Sequence, residues 1–303
     1  MIRYIFILAG LCCLIATPTR AQEVIYPDTL NGKRLTWTIA SEVTFFTVGT
    51  LYLSEIWYRD HEPVPFHFYN DLAGWQQVDK FGHMYASYLE SILGYKALRK
   101  SGVPKKKALI WGGGLGILLQ TPIEIFDGLY EDYGFSPTDM VANTLGSLLV
   151  IGQELIWDDQ RVKMKFSYSP STYTQYRPGY FGSTELEKLA TDYNGHTYWL
   201  SFNHDLITPK NWNLPPWLNL AVGYGANGML YEFENPPYYR GQPLPEFRRY
   251  RQFYLSPDID LSKIKTRSKF LRTVLSSLNI LKVPAPTLEY NSEQGLKVHL
   301  LFY

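Results

Sequence analysis

Three stretches of this sequence carry acids and amides at helical spacing. Asp79, His83, Ser87 and Glu90 recur at i, i+4, i+8 and i+11 within DKFGHMYASYLES, which places them on one helix face. Gln120, Glu124 and Asp127 do the same at i, i+4 and i+7. Asp139, Asn143 and Ser147 follow at steps of four, with Glu154 seven further on. Glu42 stands in an earlier apolar stretch. Each stripe interrupts an otherwise apolar segment, so the economical packing turns the polar faces toward one another.

The chemistry follows from the charge count. Glu42, Asp79, Glu90, Glu124, Asp127 and Asp139 are six carboxylates, and His83 is the one non-snorkelling base among the stripes. Unpaired carboxylates cannot share a dry interior, so protons, water or a cation must join them. Oxygen and imidazole donors suit a divalent metal, for which Asp79, His83, Glu124 and Asp127 are the candidate ligands. Asp139 would then position a water as base, with Asn143 completing the polar pocket. The Glu-x-x-His pair of di-iron bundles is absent. Structural roles compete with each of these. Ser136-Pro137-Thr138-Asp139 reads as a capped helix start, and Asp127-Gly128 as a helix end. Asp79 and His83 form an i,i+4 pair, worth about 0.2–0.5 kcal/mol when exposed.

The elements that must position these groups are four apolar stretches near 36–58, 76–99, 107–128 and 137–157. Each is about as long as a hydrocarbon-spanning helix. Breakers separate them: Pro63 and Pro65, Gly102 and Pro104, Gly134 and Pro137. The basic cluster Lys96, Arg99, Lys100, Lys105, Lys106 and Lys107 lies between the second and third. After a cleaved leader, a spanning topology would put that cluster outside, against the positive-inside rule. A bundle packed against a membrane avoids the conflict. Trp111-Gly112-Gly113-Gly114-Leu115-Gly116 lies in an apolar helix and is read as a close-packing surface, not as a phosphate loop.

Beyond residue 160 the period changes. Short runs at 161–168, 197–203, 217–225, 249–256 and 296–303 are rich in Tyr, Phe, Val and Trp and read as strands. Asn194-Gly195 suggests a tight hairpin, and 262–281 an amphipathic helix. The ending LKVHLLFY resembles a last strand of an outer-membrane barrel. The expected fold class is α+β: an amino-terminal four-helix bundle, open to a membrane-embedded form, then a β-rich carboxy-terminal module. The domains are 1–21 signal peptide, 22–158 helical bundle and 159–303 β-rich module.

The signal peptide rests on Arg3, an apolar run from Tyr4 to Ala16 and the small residues of Thr19-Arg20-Ala21. Cys12 and Cys13 are the chain's two cysteines, so cleavage after Ala21 leaves none for disulfides, thiolate nucleophiles or zinc. Lys plus Arg number 29 and Asp plus Glu 28, a balance that excludes a polycation binding nucleic acid by charge alone. Aromatics reach 16%, which suits surfaces apolar at one end and wet at the other. No G-x-S-x-G, Walker loop, Rossmann fingerprint or H-E-x-x-H occurs.

Asp79-Lys80-Phe81-Gly82-His83, Glu124-x-x-Asp127 and Ser136-x-x-Asp139-x-x-Ala142-Asn143-x-x-Gly146 together resemble VanZ-like and YfiM-like envelope proteins. The likeness covers about residues 75–157. The YfiM-like group is described as predicted periplasmic lipoproteins, so the resemblance implies location and architecture more than mechanism. VanZ-like proteins usually carry Gln where Asp127 stands, and neither Cys12 nor Cys13 follows the small residue that a lipoprotein signal wants.

The expectation is an exported cell-envelope protein, in the periplasm or outer membrane, with membrane or lipid as partner and a role in outer-membrane or cell-wall organisation. The alternative is a metal-assisted hydrolase or transferase that acts on a lipid or lipid-linked glycan through the acidic, His-containing pocket.

Overall fold

The computed structural model describes residues 26–59 and 61–302. The expected signal peptide, with Cys12 and Cys13, lies outside these residues, as does Tyr303. Helix α1, Gly32–Trp57, starts on Asn31, whose side chain accepts from Arg34 N at 2.9 Å. It is fastened at its ends. Asn31 N donates to Ser101 O at 2.9 Å, and the Tyr133 hydroxyl donates to Trp57 O at 3.0 Å. None of its residues is buried, and Trp37, Phe45, Val48 and Leu51 are exposed.

Helix α2, Val78–Lys100, is the axis of the bundle. Around it stand α3, Lys105–Trp111; α4, Leu115–Asp127; and α5, Pro137–Trp157. The expected third helix is interrupted at Gly112–Gly114, where the chain must press against α2. A Cβ on Gly112 would lie 2.6 Å from Gly94 C, and one on Gly116 would lie 2.2 Å from Ser87 O. Gly146 of α5 meets α2 in the same way, 2.2 Å from Met84 O. These contacts let the backbones approach, and the core of Tyr88, Ile92, Tyr95, Ala108, Leu109 and Val150 closes around them. Ser136 caps α5 as expected, accepting from Asp139 N at 3.0 Å.

After Trp157 the chain turns to sheet. Strands β1 (Val162–Tyr168), β2 (His196–Asn203), β3 (Leu218–Asn227), β6 (Tyr250–Ile259), β7 (Ala285–Asn291) and β8 (Gly295–Phe302) form one antiparallel sheet in the order β1-β2-β3-β6-β7-β8. β4 (Tyr238–Tyr239) and β5 (Gln242–Pro243) make a small separate ribbon. β1 and β2 pack on α2: Met164 joins the bundle core, and Phe166 stacks on Tyr85 with ring centroids 5.8 Å apart.

Three expectations change. Asn194-Gly195 sits in a 3-10 turn, Tyr193–Gly195, not in a two-residue hairpin, because helix α6 (Glu185–Thr191) occupies the β1–β2 connection. The helix expected over 262–281 shrinks to α7, Lys269–Leu278, because Leu261–Lys263 forms its own 3-10 turn and Ser268 caps the later start. Strand β7 is not among the expected strands: Pro284 and Pro286 mask it in the sequence, and its register with β8 slips between Ala285 and Thr287, around Pro286.

Candidate polar site at one end of the bundle

Helix α2 begins, α4 ends and α5 begins at the same end of the bundle, so their terminal side chains converge there. The approach to α2 is unusual. Trp75, Gln76 and Gln77 have φ of 46°, 52° and 66°, three consecutive non-glycine residues in the left-handed region. The surroundings hold them: Trp75 N donates to Glu232 O at 2.8 Å, and the Tyr224 hydroxyl donates to Gln76 O. The turn delivers Asp79 and Lys80 into the cluster one residue after the helix starts.

At the centre is Lys80. Its Nζ lies 2.7 Å from Asp71 Oδ2, 3.0 Å from Asp79 Oδ2 and 2.7 Å from Asp139 Oδ1. His83 stands beside it, with Nε2 at 3.9 Å from Asp79 Oδ1 and 3.8 Å from Asp139 Oδ2. Its Nδ1 faces Glu124 Oε1 at 3.2 Å, without the alignment of a hydrogen bond. Asp71 is fixed from below by Ser136 Oγ at 2.6 Å and Thr138 Oγ1 at 2.8 Å, both donating. The β-rich region closes one side: the Tyr193 hydroxyl donates to Asp79 Oδ1 at 2.9 Å, and Glu232 Oε2 accepts from the Tyr69 hydroxyl at 3.1 Å.

The electrostatics follow from this crowding. Burial disfavours charge on His83, but Asp139, Asp79 and Glu124 outweigh it and push the imidazole up to about 9. Burial would raise Asp71, yet the Lys80 charge and the hydrogen bonds from Lys80 and Ser136 bring it down to about 2. Asp79 is likewise held below the usual carboxylate range: burial is overcome by Lys80, His83 and the Tyr193 hydroxyl. For Glu232 burial wins, and Asp79 and Asp71 add to it, so the carboxyl is pushed up to about 7 against the Tyr69 hydrogen bond.

The predicted stripes do face one another, but in three tiers. Asp79, His83, Glu124 and Asp139 meet at the bundle end. Midway, Ser87 Oγ and Ser91 Oγ lie 3.0 and 2.9 Å from Ser147 Oγ, and Gln120 donates to Glu90 at 2.8 Å. At the far end the Tyr95 hydroxyl donates to Glu154 at 2.8 Å. Asp127 does not join the first tier; it accepts a hydrogen bond from the Tyr58 hydroxyl at the end of α1. Glu42 stays on α1, which buries nothing. The side chain of Asn143 is fully buried and neither its oxygen nor its nitrogen has a partner among the described residues.

The metal-compatible group is therefore smaller than the expected shell. Asp79, His83 and Asp139 can each offer one donor atom with all three within 4.8 Å. Glu124 addresses the other imidazole nitrogen, the position of an orienting carboxylate. Sequence reasoning missed Lys80, Asp71, Tyr193 and Glu232. Lys80 was visible inside the DKFGH motif but lies one step off the stripe, and the others come from loops that helical spacing does not reach.

The fold and site define a class: a helical bundle with an acidic end, an apolar flank and an antiparallel sheet, α+β in architecture. Residues 68–151 match a protein family described as Predicted periplasmic lipoprotein (DUF2279), a segment that holds every residue of the first tier. An exported, envelope-associated location accords with that family. No curated protein and no solved structure matches the chain. Two stretches, Lys105–Asp127 and Pro137–Trp157, are long and apolar enough to cross a membrane.

Proposed function

We propose that this protein serves outer-membrane or cell-wall organisation as a membrane-seated envelope scaffold with no reaction of its own. In this reading residues 1–21 export it, 22–158 form the bundle and 159–303 the β-rich module, and the VanZ-like and YfiM-like motifs mark the bundle's polar end. The observation that carries it is the apolar flank. Trp37, Phe45 and Leu51 on α1, Leu118 on α4 and Leu148 and Leu155 on α5 are all exposed, while Ser87, Ser91, Ser147, Gln120 and Glu90 bond to one another between the helices beside the apolar core. Water disfavours so much exposed apolar surface, and hydrocarbon accommodates it. The ionic cluster then acts as a clamp. Lys80 supplies the cation that three carboxylates need, and Tyr193 ties the clamp to the sheet. Separation of inner and outer membranes from cells expressing the full chain tests this: recovery with a membrane is expected, and recovery in the soluble periplasmic fraction would overturn it.

A second reading has an observation of its own. Asp79, His83 and Asp139 have metal-ligand spacing, and beside them His83 Nδ1 and Glu124 Oε1, 3.2 Å apart, are buried without an aligned hydrogen bond. A divalent cation held there could polarise a phosphate or ester of a lipid or lipid-linked glycan, with Asp139 or Glu124 taking a proton from water. Lys80 opposes this, since its charge already stands 3.0 Å or less from two of the three ligands. Metal analysis of the purified protein decides. Stoichiometric metal and a Tm lowered by chelator favour the enzyme; neither favours the scaffold.

A further inference from the structure

The apolar face of the six-stranded sheet, which packs on the bundle through Met164 of β1 and Leu200 of β2, runs on exposed across β3, β6, β7 and β8. We infer that the outer face of β3, β6, β7 and β8 is seated against the acyl chains of a lipid bilayer. The inference extends the membrane reading above.

The inner face combines ion pairs with a buried cluster of Trp199, Ala221 and Tyr254. Lys165 and Asp258 pair at 2.7 Å with both side chains 0% exposed, and Lys282 stands 3.6 Å from the other Asp258 oxygen, also 0% exposed. Glu289 receives Gln252 at 2.7 Å and Asn291 at 2.6 Å, and lies 2.6 Å from His299 Nε2. Asp258 accepts from Ser201 at 2.6 Å. The sheet curls around these groups until Phe302 of β8 comes to 6.0 Å from Trp199 of β2. At the other edge, Phe166 N donates to Ile280 O at 3.0 Å and Lys282 N to Phe166 O at 2.9 Å, so the segment before β7 closes on β1.

The outer face is apolar in cross-strand rows. Register puts Val222 opposite Leu255, Leu255 opposite Leu288 and Leu288 opposite Val298, one unbroken row over four strands. The next row is Phe253, Tyr290 and Leu296. All seven are between 42% and 69% exposed, and Leu300 of β8 is 88% exposed. Arg251, two residues on, ends the apolar surface and donates to Gln77 Oε1 at 2.7 Å, just before α2. Leucine and valine outward, paired charges inward, and an aromatic row beside a terminal arginine are the pattern of a strand surface facing lipid. A second copy could cover one such patch. The flanks of α1, α4 and α5 are exposed and apolar as well, and lipid is one occupant that suits them all. The Arg251–Gln77 contact further aligns the aromatic edge with the acidic end of the bundle, which places that end at headgroup level.

The test uses the full chain in a background lacking Cys12 and Cys13. Single cysteines replace Leu288, Val298 or, on α5, Leu155, and carry an environment-sensitive fluorophore. The protein is reconstituted into phosphatidylethanolamine–phosphatidylglycerol vesicles containing a nitroxide-labelled phosphatidylcholine. L288C and V298C should lose most of their emission to the lipid nitroxide and little to aqueous iodide. Quenching by iodide instead would overturn the inference. Protection from both quenchers would also overturn it, because a protein surface would then be the cover. L155C reports the helical flank separately: lipid quenching there with none on the sheet defeats this inference and leaves the scaffold reading standing. Should either sheet variant lose its near-ultraviolet circular dichroism, L255C in the same row replaces it.

Discussion

Lys80 Nζ lies 2.7 Å from Asp139 Oδ1, joining the first turn of α2 to the first turn of α5. Asp71 and Asp79 complete the ring around that ammonium. Removing one partner of a sheltered ionic group leaves the others uncompensated, a loss of about 3–5 kcal/mol. Lys80→Met is therefore expected to destabilise the protein by about that amount, read by chemical unfolding in detergent. Addition of manganese or zinc should raise the Tm of K80M if the freed carboxylates and His83 can hold a cation, and should leave K80M/H83A unmoved. A K80M protein as stable as wild type would show that the ring contributes nothing.

Gly146 is where α5 touches α2. A Cβ there would fall 2.2 Å from Met84 O, against backbone that has no room to give. Overpacking of this kind costs about 1–3 kcal/mol. Gly146→Ala should lower stability by that amount despite the better helix propensity of alanine, whereas Gly152→Ala, with nothing within 4 Å, should be neutral or stabilising. Equal effects at both positions would contradict the close-packed contact.

The left-handed turn before α2 makes an opposite prediction. Gln76 holds φ of 52°, a conformation that glycine adopts freely and β-branched residues resist. Gln76→Gly should be tolerated with little loss or a gain of up to about 1 kcal/mol, and Gln76→Val should lose more than that. Thermal unfolding of the two variants compares them directly. Val tolerated as well as Gly would mean that the turn is not held as described.

Glu232 gives a pH signature. Its carboxyl is pushed up to about 7 from an ordinary 4.5, so folding takes up a proton between these values. The stabilisation is fully present below about pH 4.5 and is lost as pH rises through about 7. Partial exposure limits it to about 1 kcal/mol. The stability of wild type relative to Glu232→Gln should decline by that amount across this window. A difference that stays constant with pH would remove Glu232 from the cluster's electrostatics.

Helical spacing in the sequence was enough to bring Asp79, His83, Glu124 and Asp139 to one place, because i,i+4 faces on apolar helices have few other ways to pack. It could not rank them by height along the bundle, so Glu90 and Glu154 were read with groups that lie one and two tiers away. Nor could it supply Lys80's role: a lysine one step off the stripe reads as solvated until Asp71, from a loop before α2, and Asp139, from α5, are seen to enclose it. Strand alternation located most of the sheet, but which face turns inward depends on the curl, and the curl is set by long-range contacts such as Phe302 on Trp199. The mid-helix break at Gly112–Gly114 follows from backbone contact with Gly94, a neighbour that one-dimensional periodicity does not show.

The central proposal is that the apolar flanks of the folded chain suffice to hold this protein at a membrane. Alkaline carbonate extraction of membranes from cells expressing the Cys12→Ser/Cys13→Ser chain tests it most directly. The protein is expected to stay in the membrane pellet. Release of the folded protein into the supernatant would contradict the account.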